Sequence, residues 1–342
     1  MNICLLRLSA IGDVTHALCT VRQIQDQRPD ARITWIIGRV EHTLLEGLNG
    51  VDFVIFDKST GFSAFRELRR SIGAQRFDAL LHMQVSFRAN LASACVRADR
   101  RIGYDRARSK DLHGLFISER IATARQQHVL DAMQSFIEPL GLRPGLHRWQ
   151  IPLSAEDYAI ADEHVDRNRP TLCISPVSSH RLRNWHVAGY AAVADHAVRQ
   201  HDMQVILTGG PSEFERDFAV EIESSMQSRA LNLIGQSTLK QLAALLDRSE
   251  LVLAPDTGPM HMANAMGTDV LGLHAATNPA RAGPYHSLRW CVNQYEAAAR
   301  KFLKRGADEI RWGTKIECPG VMDLIGVDQV IDKLDAWAAE RL

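Results

Sequence analysis

"LLRLSAIGDVTHAL", Leu5 to Leu18, decides how the chain folds. Together with Ile3 and Cys4, its opening residues form the continuous apolar run of a strand buried on both faces, and Val14, Ala17, Leu18, Val21 and Ile24 then recur at helical spacing. A strand that passes within a few residues into a helix is the first half of a βαβ unit. Asp13 falls at or near the N-terminus of that helix, where the macrodipole stabilises an acid and free N–H groups accept a cap. Spacing alone favours this capping role over catalysis, unless the rest of the chain supplies an electrophile beside which Asp13 can work.

The rhythm continues outward from this stretch. "RITWIIG", "VDFVIFD" and "FDALLHM" are further apolar, β-rich runs, separated by amphipathic stretches such as "FSAFRELRRSI", Phe62 to Ile72. Residues 140–154, "LGLRPGLHRWQIPLS", break the pattern with Gly and Pro. It resumes with "TLCISPV", "MQVILTGG", "LNLIG", "LVLAPD" and "DVLGLHA". This alternation predicts an α/β protein of two doubly wound, parallel-sheet domains, 1–150 and 151–325, followed by an amphipathic helix over 326–342.

The 342 residues suffice for two such cores. Forty Lys and Arg balance forty Asp and Glu, so the net charge of zero argues against a general nucleic-acid binder. Six scattered cysteines contain no C-x-x-C pair, and no Asp and His cluster has metal-ligand spacing, so neither a zinc site nor a redox motif is expected. The first residues lack the basic flank and apolar segment of a leader, and no apolar run approaches a membrane span, which predicts a cytosolic protein.

In open α/β sheets, ligands bind beyond the carboxyl ends of strands. After "TLCISP" come Ser178 and Ser179 with hydroxyl and backbone donors, then Arg181 and Arg183 with guanidinium groups suited to phosphate. After "MQVILT" come Gly209, Gly210 and Glu213; the acid suits either ribose hydroxyls or the start of a helix. After "LVLAP", Asp256 precedes Thr257, Gly258 and Pro259, which open a helix whose N–H groups would face a pyrophosphate. His261 and the methionines of that helix read as packing. G-x-G-x-x-G and the P-loop motif are both missing, which excludes the usual NAD and NTPase sites.

Taken together, "SAIGDVTHAL", "SSHRLRNW", "GGPSEFER" and "DTGPMHMANAMG" resemble glycosyltransferase family 9, the ADP-heptose:lipopolysaccharide heptosyltransferases, over nearly the whole chain. The resemblance implies a GT-B fold, two Rossmann-like domains facing a cleft, with the acceptor domain first, the ADP-heptose domain second and the last helix crossing back to the first. It implies an inverting transfer of heptose from ADP-heptose to 3-deoxy-manno-octulosonic acid of the inner core, without metal or cofactor. A second heptose transfer, another GT-B nucleotide-sugar enzyme (transferase or epimerase) and a non-catalytic nucleotide-sugar-binding module are the alternatives. By position, Asp13 matches the general base, Ser178 and Ser179 the phosphate-binding hydroxyls, Glu213 the ribose acid, and Asp256, Thr257 and Gly258 the D-T-G turn. Arg183 stands where the family often has lysine, as the cation for the leaving diphosphate.

An acidic glycolipid acceptor calls for local positive charge on the first domain. Arg66, Arg69 and Arg70 in "FRELRRS", and Arg101 within the basic run from Arg97 to Lys110, are the candidates. A solvated surface is the competing reading of such runs. A basic lobe would also suit peripheral attachment to the cytoplasmic face of an inner membrane.

Overall fold

The computed structural model describes residues 1–342, which divide into two compact units, Met1–Pro152 and Leu153–Leu342. The first holds β1 (Asn2–Leu6), β2 (Arg32–Gly38), β3 (Val51–Phe56), β4 (Arg76–His82), β5 (Arg97–Gly103) and β6 (Glu119–Arg120). The second holds β7 (Thr171–Ile174), β8 (Gln204–Leu207), β9 (Leu231–Asn232), β10 (Leu251–Pro255), β11 (Asp269–His274) and β12 (Val292–Asn293). Every pairing is parallel, and the sheet orders are β3-β2-β1-β4-β5-β6 and β12-β11-β10-β7-β8-β9. Counted from the first strand of each unit, both read 3-2-1-4-5-6, the doubly wound order. Each sheet therefore reverses direction between its first and fourth strands, at β1/β4 and at β7/β10, and a crevice opens there.

The central strands are apolar because helices cover both of their faces. Ile3 to Leu6 and Leu172 to Ile174 are buried, as are Leu251 to Ala254. Gly38, at the end of β2, passes so close to the first strand's exit that its N–H donates to the Leu8 carbonyl at 3.0 Å. A Cβ at Gly38 would run into that oxygen.

β5 was concealed in the basic run: "RADRRIG" carries three arginines yet pairs along its length with β4. Tertiary partners absorb its charge, since Arg100 binds Glu119 through two bonds of 2.8 and 2.7 Å. The sequence pattern also passes over β6 and β12, each two residues long.

The C-terminal helix, Val327–Arg341, packs on the second unit: Val330, Leu334, Trp337 and Ala338 are buried in the core that contains β7, β10 and β11. Trp337 Nε1–H and Arg341 Nε–H both donate to Asp269 Oδ2, at 3.0 and 2.9 Å. Burial of a tryptophan of this kind contributes roughly 3–5 kcal/mol, enough to hold a terminal helix in place.

Candidate active site

At the first unit's crevice, β1 leads through Arg7, Leu8 and Ser9 into the helix Ile11–Gln27. Asp13 is the third residue of that helix, and the Ala10 N–H donates to its Oδ2 at 3.4 Å, as a first-turn acid should accept. It also has a partner that sequence spacing did not reveal. Arg7, almost wholly buried, forms a close ion pair with Asp13 Oδ2, and its Nη1 donates to the Met83 carbonyl beyond β4 at 2.5 Å. Gln84 completes the cradle: its Oε1 accepts from the Leu8 N–H at 2.7 Å and from the Ser9 N–H at 3.3 Å. The carboxylate is thus oriented by an arginine anchored across the β1/β4 crevice, while about a third of it faces solvent. A partly exposed, oriented carboxylate can take a proton from an incoming hydroxyl. The visible clue to Arg7 was one charge in an otherwise apolar strand run.

At the second unit's crevice, the segment after β7 carries Ser178, Ser179 and the short helix Arg181–Arg183. Ser178 is buried and shapes the loop: its N–H donates to Asn184 Oδ1 at 2.7 Å, and its Oγ accepts from the His180 N–H at 3.3 Å. Ser179 is exposed. The side-chain amide Nδ2 of Asn184 is buried without a hydrogen-bond partner.

Arg183 is the centre of this site and is mostly buried. Its Nε and Nη2 donate to Glu317 Oε1 at 2.8 and 2.6 Å, and its Nη1 lies 3.8 Å from Asp256 Oδ2 at the end of β10. Asp256 Oδ1 in turn lies 3.5 Å from His261 Nε2, so His261 belongs to the charged cluster as well as to the helix packing. Burial, the largest influence on Asp256, pushes its carboxyl up; the His261 hydrogen bond, the neighbouring imidazoles and the Arg183 charge outweigh it and hold the group well below the usual carboxylate range. Burial likewise raises Glu317, but the Arg183 hydrogen bond and charge bring it below its ordinary value. Lys315 stands in the same field: desolvation, and then the charge of Arg183, lower its ammonium. Neither Lys315 nor Glu317 is legible in the sequence as a site residue, because more than a hundred residues separate them from Arg183.

Thr257 caps the helix Gly258–Met266, its Oγ1 accepting from the Met260 N–H at 3.3 Å. Pro259 has no N–H, and that of Gly258, in the first turn at a positive helix end, has no partner within the helix. The glycine pair after β8 is arranged differently from expectation. The cradle at Gly209 and Gly210 is filled by the chain's own Glu215, whose carboxylate accepts from the Gly210 N–H and from Ser212 Oγ, the latter at 3.1 Å. Glu213 opens the helix Glu213–Ser225 as an exposed acid. It is free to meet ligand hydroxyls, whereas Glu215 is committed.

The expected basic lobe contracts. Arg101 gives its guanidinium to the chain itself: Nε to the Phe116 carbonyl, Nη1 to Val96, and Nη2 to the Ser93 carbonyl and hydroxyl, at 2.8 to 3.1 Å. It staples β5 to the preceding helix with four of its five N–H donors and keeps a single Nη1–H for an acceptor. Arg108 is similarly tied to Asp105, Gln127 and the Ala122 carbonyl. Arg66, Arg69 and Arg70, on the helix Ser63–Ile72, stay exposed without an ion pair, because Ala64, Leu68 and Ile72 turn the opposite face into the core.

The glycosyltransferase family 9 (heptosyltransferase) profile matches residues 65–309, well over half of the chain. The chain belongs to glycosyltransferase family 9. This heptosyltransferase-family enzyme is similar to the lipopolysaccharide core heptosyltransferase OpsX of Haemophilus influenzae, 38% identical over 97% of this chain and 96% of the relative. Its fold is similar to that of a family 9 glycosyl transferase from Veillonella parvula, with a TM-score of 0.82 at 21% identity over 99% of this chain and 97% of the other. It is also similar to the Escherichia coli heptosyltransferase WaaC solved with ADP, with a TM-score of 0.72 at 15% identity over 98% and 100% of the two chains. The heptosyltransferase thus has the two-domain α/β architecture of the GT-B class.

Proposed function

We propose that this enzyme transfers L-glycero-D-manno-heptose from ADP-heptose to the 3-deoxy-manno-octulosonic acid of the lipopolysaccharide inner core, with inversion at the anomeric carbon. The observation that carries the reading is the cluster at the β7/β10 crevice. There Arg183 has one guanidinium edge bound by Glu317 and its other amino group opposite Asp256, the residue two positions before Gly258 at the start of the helix Gly258–Met266. A diphosphate entering this crevice would compete with Glu317 for Arg183 and take the helix N–H groups as further donors. Ser179 and Glu213, both exposed, are the candidates for the remaining phosphate and ribose contacts.

The chemistry asked of the protein is modest. The acceptor hydroxyl attacks the anomeric carbon, the C–O bond to the diphosphate breaks, ADP leaves with the electron pair, and the hydroxyl proton passes to a base. Asp13 is the proposed base, worth roughly 10²–10⁴ in rate. Arg183, Lys315 and the helix N–H groups stabilise the charge growing on the leaving group, the function given to a divalent cation in other transferases. Arg66, Arg69 and Arg70 are the proposed contacts for the acidic acceptor and for an anionic membrane surface; no helix is long and apolar enough to cross a membrane.

Mass spectrometry of products from ADP-heptose and a panel of truncated lipopolysaccharide acceptors tests this reading. Addition of one heptose to an acceptor ending in 3-deoxy-manno-octulosonic acid, in the presence of chelator, is the expected result. Addition only to an acceptor already bearing heptose would make the enzyme a second-heptose transferase. Epimerised sugar nucleotide without transfer would remove the transferase reading.

A further inference from the structure

The second unit contains a cluster of ligating side chains that the transfer reaction does not use. His196 Nε2 lies 2.7 Å from Asp335 Oδ1, and His201 Nε2 lies 2.6 Å from the same oxygen. The three side chains offer ligand atoms that all lie within 4.8 Å of one another, and each is partly buried. His196 and His201 belong to the helix Val187–His201, and Asp335 to the C-terminal helix Val327–Arg341. Five positions along a helix turn two side chains about 140° apart, so the histidines do not share a helix face. They meet at one oxygen, Asp335 Oδ1.

We propose that His196, His201 and Asp335 bind one divalent transition-metal ion, with Zn²⁺ the best match. Two imidazole nitrogens and one carboxylate oxygen form a borderline donor set suited to zinc and poorly suited to magnesium or calcium, which take oxygen ligands. Four-coordinate zinc, with bonds of about 2.0–2.1 Å, needs its ligand atoms roughly 3.3 Å apart. The nitrogen–oxygen pairs lie closer than that, and small side-chain rotations that open them by roughly 0.7 Å admit the ion. Solvent exposure on the Asp335 side leaves the fourth position to water.

The site acts as a clamp. It joins residues more than 130 positions apart in sequence, and so fixes the C-terminal helix to the helix that follows the Arg183 loop. His201 is at the far end of that helix, roughly 20 Å along its axis from Val187. The ion therefore lies away from the diphosphate crevice and takes no part in transfer.

The test uses the full chain, stripped of metal by chelator and titrated with Zn²⁺ against a chromogenic competitor while its melting is followed. The expected result is one Zn²⁺ per chain and a Tm rise of roughly 5 °C when free zinc is about a hundredfold above Kd. Asp335→Asn and His201→Gln should each weaken binding roughly tenfold or more and remove the Tm rise. Glu340→Gln, on the same helix, should change neither. Sub-stoichiometric zinc, or binding unaltered in both ligand variants, overturns the proposal. If the ligand variants do not fold, the Co²⁺ spectrum of the wild-type chain decides. Visible d–d bands without thiolate charge transfer support the site; a thiolate band, placing the metal on cysteine, or no visible band refutes it.

Discussion

Arg183 spends two N–H donors, at 2.8 and 2.6 Å, on a single oxygen of Glu317, a residue 134 positions away. The guanidinium is thereby held edge-on to one carboxylate while its remaining amino group faces Asp256. A lysine at the same position would keep the charge and lose the fork.

Arg183→Ala should weaken ADP binding and lower turnover together, because it removes the largest cationic contribution from the crevice. Arg183→Lys should bind ADP within about tenfold of wild type and lose more in kcat than in affinity, since charge is retained and bidentate orientation is not. Calorimetry with ADP, set beside steady-state rates, separates the two effects. Equal losses in both variants would show that charge at this position is not what binds the diphosphate.

Asp13→Asn should lower kcat by roughly 10² or more, with ADP affinity unchanged. Asparagine caps a helix about as well as aspartate, so the capping role alone predicts almost no effect. The Arg7 ion pair adds a stability cost of about 1 kcal/mol, discounted because Asp13 is partly exposed. A double-mutant cycle with Arg7→Met measures that coupling by denaturant midpoint. Near-normal turnover of a folded Asp13→Asn enzyme would leave Asp13 as a cap with a salt bridge.

Arg101 and the Arg66, Arg69, Arg70 group should separate structural from functional charge. Arg101→Ala leaves three carbonyls without their guanidinium donors and should cost about 3 kcal/mol of stability, with acceptor KM little changed in the folded fraction. Replacing Arg66, Arg69 and Arg70 together by glutamate should leave the melting temperature within a degree or so. The same triple variant should raise acceptor KM roughly tenfold and weaken binding to anionic vesicles. An unchanged acceptor KM would make the basic helix face a solvated surface.

Stability should fall on mild acidification. Burial lowers His82 to about 3, His113 to about 4 and His274 to about 4, so the folded chain keeps all three neutral where the unfolded chain protonates them near 6.5. Between those values the unfolded state binds more protons. The stabilisation is therefore complete above about pH 6.5 and is lost progressively toward pH 4, each histidine adding up to about 1.4 kcal/mol per pH unit. Denaturant unfolding between pH 7 and pH 4.5 measures the slope, and His82→Gln should flatten it. A slope unchanged in that variant would mean His82 is not neutral in the fold.

The local order of this protein is written in its sequence. Apolar runs bounded by Gly, Pro and capping residues specify nine of the twelve strands, and the i, i+4 spacing of Ala64, Leu68 and Ile72 specifies which helix face carries Arg66, Arg69 and Arg70 outward. Strand-end placement likewise marked Asp13, Arg183, Glu213 and Asp256, since a doubly wound sheet brings every strand's carboxyl end to one edge. What the linear pattern could not carry was pairing. Arg101 and Arg66 look alike in a basic run, yet one gives most of its donors to the chain's own carbonyls in the tertiary structure and the other faces water. Arg7 with Asp13, Arg183 with Glu317, and His201 with Asp335 are contacts between side chains whose ionic and hydrogen-bonding reach is a few ångströms in space, whatever their separation along the chain. Periodicity reports which face of an element is buried. Only the packed sheets and helices determine which polar group each face finds.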